Sequence, residues 1–126
     1  MKILIVEDSQ IMRKIHKNVL AEHRVPAESM VESENGSEAL NLALKLPIDL
    51  FLVDWNIPGL NGLEFVKAIR AMDMYSKTPI VMITSEAAKY HVLAAVEAGV
   101  NDYVVKPIQG DTLWKKLAPF LAGAAA

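Results

Sequence analysis

The chain has 126 residues, 52% of them hydrophobic, and a formal net charge of -2, enough for one compact domain with a real core and too few for two ordinary ones. Charges of both signs are spread along it without the basic stripe that nucleic acid or anionic lipid would require, so neither is an expected partner. The absence of cysteine excludes disulfides and thiolate metal sites and fits a reducing compartment.

The apolar start, MKILIV, is broken by Glu7 and Asp8 and is far too short for a signal peptide or a membrane span, so the expected compartment is the cytoplasm. Ile3 to Val6 predicts a first strand, and Met12, Ile15 and Val19 recur at helical spacing after it. A weaker strand follows around Ser29 to Glu32; then Asn35 or Ser37 caps a helix with Leu40, Ala43 and Leu44 as its stripe. Leu50 to Val53 predicts a third strand, Asn61 a cap, and Leu63, Val66 and Ile69 a third helix. Ile80 to Ile83 reads as a strand, Ser85 as a cap, and Val92, Leu93 and Val96 as the stripe of a helix that Gly99 stops in the left-handed conformation. Tyr103 to Val105 forms the last strand, and Asp111 caps a helix striped by Leu113, Leu117 and Leu121. Pro119 lies inside that stripe, where it removes a backbone donor, so the helix is expected to kink or end early there. One domain is expected over 1–122, with 123–126 as a tail of little information. Alternation of short β-rich runs with helical stripes signals βαβ units around a parallel sheet, and the consecutive apolar residues of the runs suit strands covered on both faces.

In an open parallel sheet the loops after the strands converge on one edge, so residues at the carboxyl ends of different strands meet. Strand one ends in Glu7 and Asp8, strand three in Asp54, strand four in Thr84 and Ser85, and strand five in Lys106 and Pro107. Two carboxylates ~4 Å apart repel by roughly 4 kcal/mol at an effective dielectric near 20, so three need compensation. A divalent cation is the natural remedy, and an incomplete set of hard oxygen ligands suits Mg²⁺. His16, His23 and His91 lie within or beside helical stripes and read as surface or helix-face residues, which makes zinc a poor fit. A carboxylate beside Mg²⁺ can attack a phosphoryl group to form an acyl phosphate, while an ammonium and a hydroxyl share the charge on the phosphoryl oxygens. Asp54, Lys106 and Thr84 supply those three roles. Taken singly, each of these residues also suits a cap, a turn or a solvated surface; it is the joint placement at the ends of four strands that points to chemistry. The dinucleotide fingerprint G-x-G-x-x-G after strand one, the P-loop G-x-x-x-x-G-K-[ST] and the G-x-S-x-G elbow are missing, which disfavours an ordinary cofactor enzyme.

Over nearly the whole chain, from KILIVEDS through ENGSEAL, LVDWNIPGLNGLE, TPIVMITSEA and AGVNDYVVKP, the sequence resembles the receiver domain of two-component response regulators, of the CheY-like, chemotaxis kind. The resemblance implies a flavodoxin-like fold: five parallel strands in the order 2-1-3-4-5, flanked by five helices. It further implies that Asp54 accepts a phosphoryl group from the phosphohistidine of a sensor histidine kinase or phosphotransfer protein. The chain would then be a phosphoacceptor that supports its own phosphorylation and dephosphorylation, not an enzyme. Asp8, Asp54 and the backbone carbonyl of Asn56 would hold Mg²⁺, Glu7 acting through a metal-bound water. Thr84 would donate its hydroxyl to the phosphoryl group and Lys106 would pair with it, after a cis bond to Pro107. Thr84 and Tyr103 form the implied switch pair, which carries the event to a face made of helix four, strand five and helix five. Trp114 and Lys116 fall on helix five near that face as candidate partner contacts, Trp114 having packing against the helix face as its other reading. Asn56 and Glu86 would tune the lifetime of the phosphoryl group, and Trp55 would either shield the site or report its occupancy. A monomer is expected. The alternative is a pseudo-receiver, an interaction module that keeps the fold but signals without phosphorylation. A flavin carrier of the same architecture is disfavoured by the lack of a hydroxyl- and glycine-rich loop after strand one.

Overall fold

The computed structural model describes residues 1–85 and 89–125. In chain order the elements are β1 (Ile3–Val6), α1 (Gln10–Glu22), β2 (Met30–Ser33), α2 (Gly36–Lys45), β3 (Leu50–Asp54), α3 (Gly62–Arg70), β4 (Ile80–Thr84), α4 (Lys89–Ala98), β5 (Asp102–Val105) and α5 (Gly110–Ala125). Two short 3₁₀ turns, Ala27–Ser29 and Asp73–Tyr75, precede β2 and β4. All strands are parallel in the order β2-β1-β3-β4-β5, the expected flavodoxin-like arrangement.

Strand side chains alternate between two apolar layers, as a pleat of period two demands. Leu4, Val6, Phe51, Val53, Ile80 and Met82 enter the layer covered by α2, α3 and α4. Ile3, Ile5, Leu50, Leu52, Val81 and Ile83 enter the layer covered by α1 and α5. Every residue of β1, β3 and β4 is buried, which is why these strands read as unbroken apolar runs. The edge strand β2 is only partly covered and correspondingly weak in sequence.

Helix termini follow side-chain chemistry. Asn35, not Ser37, caps α2 by accepting from the Glu38 N–H at 2.8 Å. Asn61 caps α3 in a reciprocal box with Glu64. Asp111 lies inside the first turn of α5 and is not its cap, a place where a carboxylate meets the positive end of the helix. Gly99 has φ +106° and ends α4 as expected. Pro119 does not end α5, which continues to Ala125. Pro119 and Lys115 are both exposed, on a side of the helix where the loss of one helical donor is tolerated.

The stripes of α3 and α5 bury Val66, Ile69, Leu113, Leu117 and Leu121 as predicted, but three others are rotated. α1 buries His16, Val19 and Leu20 and leaves Ile15 exposed. α2 buries Ala39 and Ala43 with Leu44 outside, and α4 buries Ala95 while Leu93 and Val96 face solvent. The inward positions of α2 and α4 are taken by alanines, and small residues let these helices approach the sheet more closely than leucine or valine would.

Candidate functional site

The sheet delivers Glu7 and Asp8 just after β1, Asp54 at the end of β3, Thr84 at the end of β4 and Lys106 just after β5 to one edge. One carboxylate oxygen from each of Glu7, Asp8 and Asp54 lies within 4.8 Å of the others. Glu7 and Asp54 are 1% and 2% exposed, whereas Asp8 opens to solvent. The Lys106 ammonium reaches into this trio, 2.5 Å from Asp54 Oδ2 and 3.3 Å from Glu7 Oε1.

Backbone groups hold the acids in place. The Ser9 N–H donates to Glu7 Oε2 at 3.1 Å and the Asn56 N–H to Asp54 Oδ1 at 2.9 Å. Asp54 is further fixed by α3, since a Cβ on Gly62 would fall 2.4 Å from the Asp54 carbonyl oxygen. Only glycine permits that approach. Lys106 is placed by its own N–H, which donates to the Thr84 carbonyl at 2.8 Å, and the Lys106-Pro107 bond is cis. Thr84 is 3% exposed beside Ile83, whose carbonyl accepts from Trp55 N–H at 2.9 Å.

Charge in this pocket is unevenly compensated. Burial pushes the Glu7 carboxyl up to about 8, reinforced by hydrogen bonds shared with the Asp54 and Asp8 carboxylates. Burial by itself would lower the Lys106 pKa, but the hydrogen bond and charge of Asp54, with those of Glu7, outweigh it and hold the ammonium above its ordinary value. One ammonium against three carboxyl groups leaves a deficit of positive charge among hard oxygen donors, the chemistry that suits Mg²⁺.

The remaining predicted residues are distributed as follows. Asn56 is exposed at the rim, and Glu86 lies outside the described residues. Tyr103 is half-buried on β5, with the Lys116 ammonium 6.0 Å from its ring centroid. Lys116 also bonds Asp102 at 3.1 Å, so it belongs to the α4–β5–α5 side. Trp114 does not. Its ring stacks on His23 of the α1 terminus with centroids 4.0 Å apart and planes 2° apart. Residues 114 and 116 stand about 200° apart around a helix, on opposite flanks of the Leu113–Leu117 stripe, so they cannot share a face. Trp114 therefore leaves the candidate partner face, and its packing reading is the one that stands.

Two contributors were not singled out by sequence pattern. Ser9 caps α1 by accepting from Met12 N–H while its own N–H holds Glu7; a serine between an acid pair and a helical stripe is a readable cap signal. Arg13 donates to the Glu7 carbonyl at 2.7 Å and bridges to Glu32 at 3.1 Å. No local signal marks it, because both partners become neighbours only through the β1–β2 pairing.

Residues 3–118 match the family model described as the response regulator receiver domain. A chemotaxis protein CheY homolog of Campylobacter jejuni is 43% identical over 122 residues, covering 96% of this chain and 92% of its own. Chemotaxis protein CheY1 of Helicobacter pylori is 43% identical over 118 residues, covering 93% and 94%. Among solved structures, the chemotaxis response regulator CheY4 of Vibrio cholerae superposes with a TM-score of 0.87 at 33% identity, covering 95% of this chain and 98% of its own. The receiver domain of a sensor histidine kinase of Pseudomonas aeruginosa PAO1, which has a magnesium ion coordinated in its active site cleft, gives 0.84 at 26% identity, covering 96% and 97%.

Proposed function

The chain belongs to the response regulator receiver domain family, and from that premise we propose that it is a phosphorylation-dependent switch whose acceptor is Asp54. The observation that carries the reading is the Lys106 ammonium 2.5 Å from an Asp54 carboxylate that is itself buried within an acidic trio. In the proposed step an Asp54 oxygen attacks the phosphorus of a phosphohistidine on a sensor kinase or phosphotransfer protein. An O–P bond forms as the N–P bond to the imidazole breaks. Lys106, already hydrogen-bonded to Asp54, follows the charge onto the phosphoryl oxygens, and the Thr84 hydroxyl donates to one of them.

Mg²⁺ is the proposed cofactor, with Asp8, Asp54 and the Asn56 carbonyl as its ligands and Glu7 acting from the position behind them. When bound it supplies a divalent charge that offsets both the carboxylates and the incoming phosphoryl group. The protein turns over no separate substrate in this reading; it supports its own phosphorylation and hydrolysis, with Asn56 and Glu86 governing how water reaches the acyl phosphate. The signal would pass through Thr84 and Tyr103 to a target protein on the α4–β5–α5 side, where Lys116, Leu93 and Val105 are available. Relatives named as chemotaxis proteins support chemotaxis as the pathway, and the working form in this reading is a cytoplasmic monomer. Among the described residues no helix is long and apolar enough to cross a membrane.

Incubation with Mg²⁺ and acetyl phosphate, followed by intact-mass measurement, is expected to add one phosphoryl group, and Asp54→Asn to abolish the addition. An unmodified wild-type protein would instead favour an interaction module that works without phosphorylation.

A further inference from the structure

Helix α4 is held at its two ends in very different ways. Its C-terminal end is clamped: the Arg70 guanidinium donates to the Gly99 carbonyl from Nε at 3.0 Å and from Nη2 at 2.7 Å. The same side chain donates to the Tyr75 and Thr78 carbonyls at 2.7 and 2.6 Å, so α3, α4 and the turn before β4 are tied at one point. At the other end, His91 in the first turn of α4 meets the Trp55 indole edge-on, with centroids 5.0 Å apart and planes at 79°. Trp55 is the residue after Asp54.

Between these ends the rotation of α4 is weakly specified. An amphipathic helix resists turning because doing so drags polar groups into the core and apolar ones into water. On α4, Ala95 is buried and Val92 half-buried while Leu93 and Val96 are 50% and 58% exposed, so apolar residues lie on most of its circumference. A tilt about the Gly99 anchor that keeps Ala95 against the sheet therefore brings few polar groups into the core and exposes little new apolar surface.

The backbone under Trp55 cannot take up such a movement. The Trp55 N–H donates to Ile83, its carbonyl accepts from Gly62 N–H at 2.9 Å, and a Cβ on Gly62 would come 2.7 Å from Trp55 Cα. A shift passed from Asp54 to the next residue of the chain is therefore taken up by the indole, half-buried against the α2–α3–α4 layer and resting on His91. We propose that His91 is a positioning residue whose edge contact with Trp55 holds α4 in its resting orientation, so that occupancy of Asp54 is coupled to α4 through this aromatic pair. The proposal rests on Asp54 being the phosphoryl acceptor, and adds a route to α4 that does not run through Thr84 and Tyr103.

Coupling is reciprocal, so loosening the α4 contact must tighten binding at the site. The test is a double-mutant cycle in affinity for beryllofluoride, a phosphoryl-shaped anion, with Mg²⁺ present. His91→Ala is expected to tighten binding about three- to tenfold, and Trp55→Leu to do the same. The double variant should show no further gain, because each change by itself already breaks the aromatic contact the two residues share. His91→Phe keeps an aromatic edge against the indole and is expected to restore wild-type affinity, which a loss of α4 folding would not do. Additive effects, unchanged affinity in His91→Ala, or failure of His91→Phe to restore it would overturn the proposal. Wild-type protein that binds no beryllofluoride and accepts no phosphoryl group would instead overturn the assignment of Asp54 beneath it.

Discussion

His16 shows how far a single position can depart from its local pattern. Its imidazole is 1% exposed, at a core position of α1, and neither ring nitrogen has a hydrogen-bond partner among the described residues. A buried polar group without a partner costs about 1–3 kcal/mol, and an apolar side chain of similar volume does not incur that cost. His16→Leu is therefore expected to stabilise the protein by about 1–2 kcal/mol at pH 7, read from urea unfolding. Burial first, and the Lys106 charge second, lower its pKa from 6.5 to about 4. A depressed folded-state pKa means that this group's contribution is whole above pH 6.5 and is lost as pH falls through 4. The advantage of His16→Leu should thus widen by on the order of 3 kcal/mol between pH 7 and acid below 4. Equal acid sensitivity in the two proteins would show that the imidazole is not buried neutral. Helical spacing marks Ile15 as the inward residue; the choice between adjacent positions falls to the packing of Val19 and Leu20 on the sheet.

At the level of the element, the start of α3 sets steric fit against propensity. Alanine is better than glycine in a helix by about 1 kcal/mol, so propensity by itself would make Gly62→Ala stabilising. The added Cβ would sit 2.4 Å from the Asp54 carbonyl oxygen and 2.7 Å from Trp55 Cα, and both are backbone atoms that β4 holds in place. Overpacking of this kind costs about 1–3 kcal/mol or more, and here it outweighs the helical gain. Gly62→Ala is expected to lower the urea midpoint and, by displacing Asp54, to slow phosphorylation by acetyl phosphate. A variant as stable and as fast as wild type would mean that α3 can retreat. The sequence marks Gly62 only as part of a turn-rich run after β3. Its close approach to Asp54 arises because Trp55 and Gly62 bond across the loop. By contrast, the caps at Asn35 and Asn61 are local chemistry and could be read in advance, within one or two residues.

For the molecule as a whole, folding, proton binding and cation binding meet in the acidic pocket. The Glu7 carboxyl is raised from 4.5 to about 8, mainly by burial, so between those values the folded metal-free protein holds a proton that the unfolded chain has released. This contribution to stability is whole below pH 4.5 and is lost as pH rises through 8. A divalent cation needs the ionised carboxylates and competes with that proton. Mg²⁺ affinity is expected to climb by up to about tenfold per pH unit between 6 and 8, with close to one proton released per ion at pH 7. Calorimetry in buffers of different ionisation enthalpy measures both. Affinity independent of pH across that range would mean that Glu7 is already ionised.

Strand positions, the two-sided burial of β1, β3 and β4, and the gathering of Glu7, Asp8, Asp54, Thr84 and Lys106 at one edge were legible in the chain. They follow from runs of apolar residues and from the rule that parallel strands point their carboxyl ends the same way. Which side of each helix turns inward was not, because residues one or two places apart satisfy the same periodicity and only the shape of the opposing sheet chooses between them. His16 over Ile15, Ala95 over Leu93, and Trp114 on the α1 side of α5 are all choices of that kind. Partners such as Arg13 with Glu32, or Arg70 with Gly99, also became visible only once the chain had folded, since no local pattern records which distant atoms will end 3 Å apart.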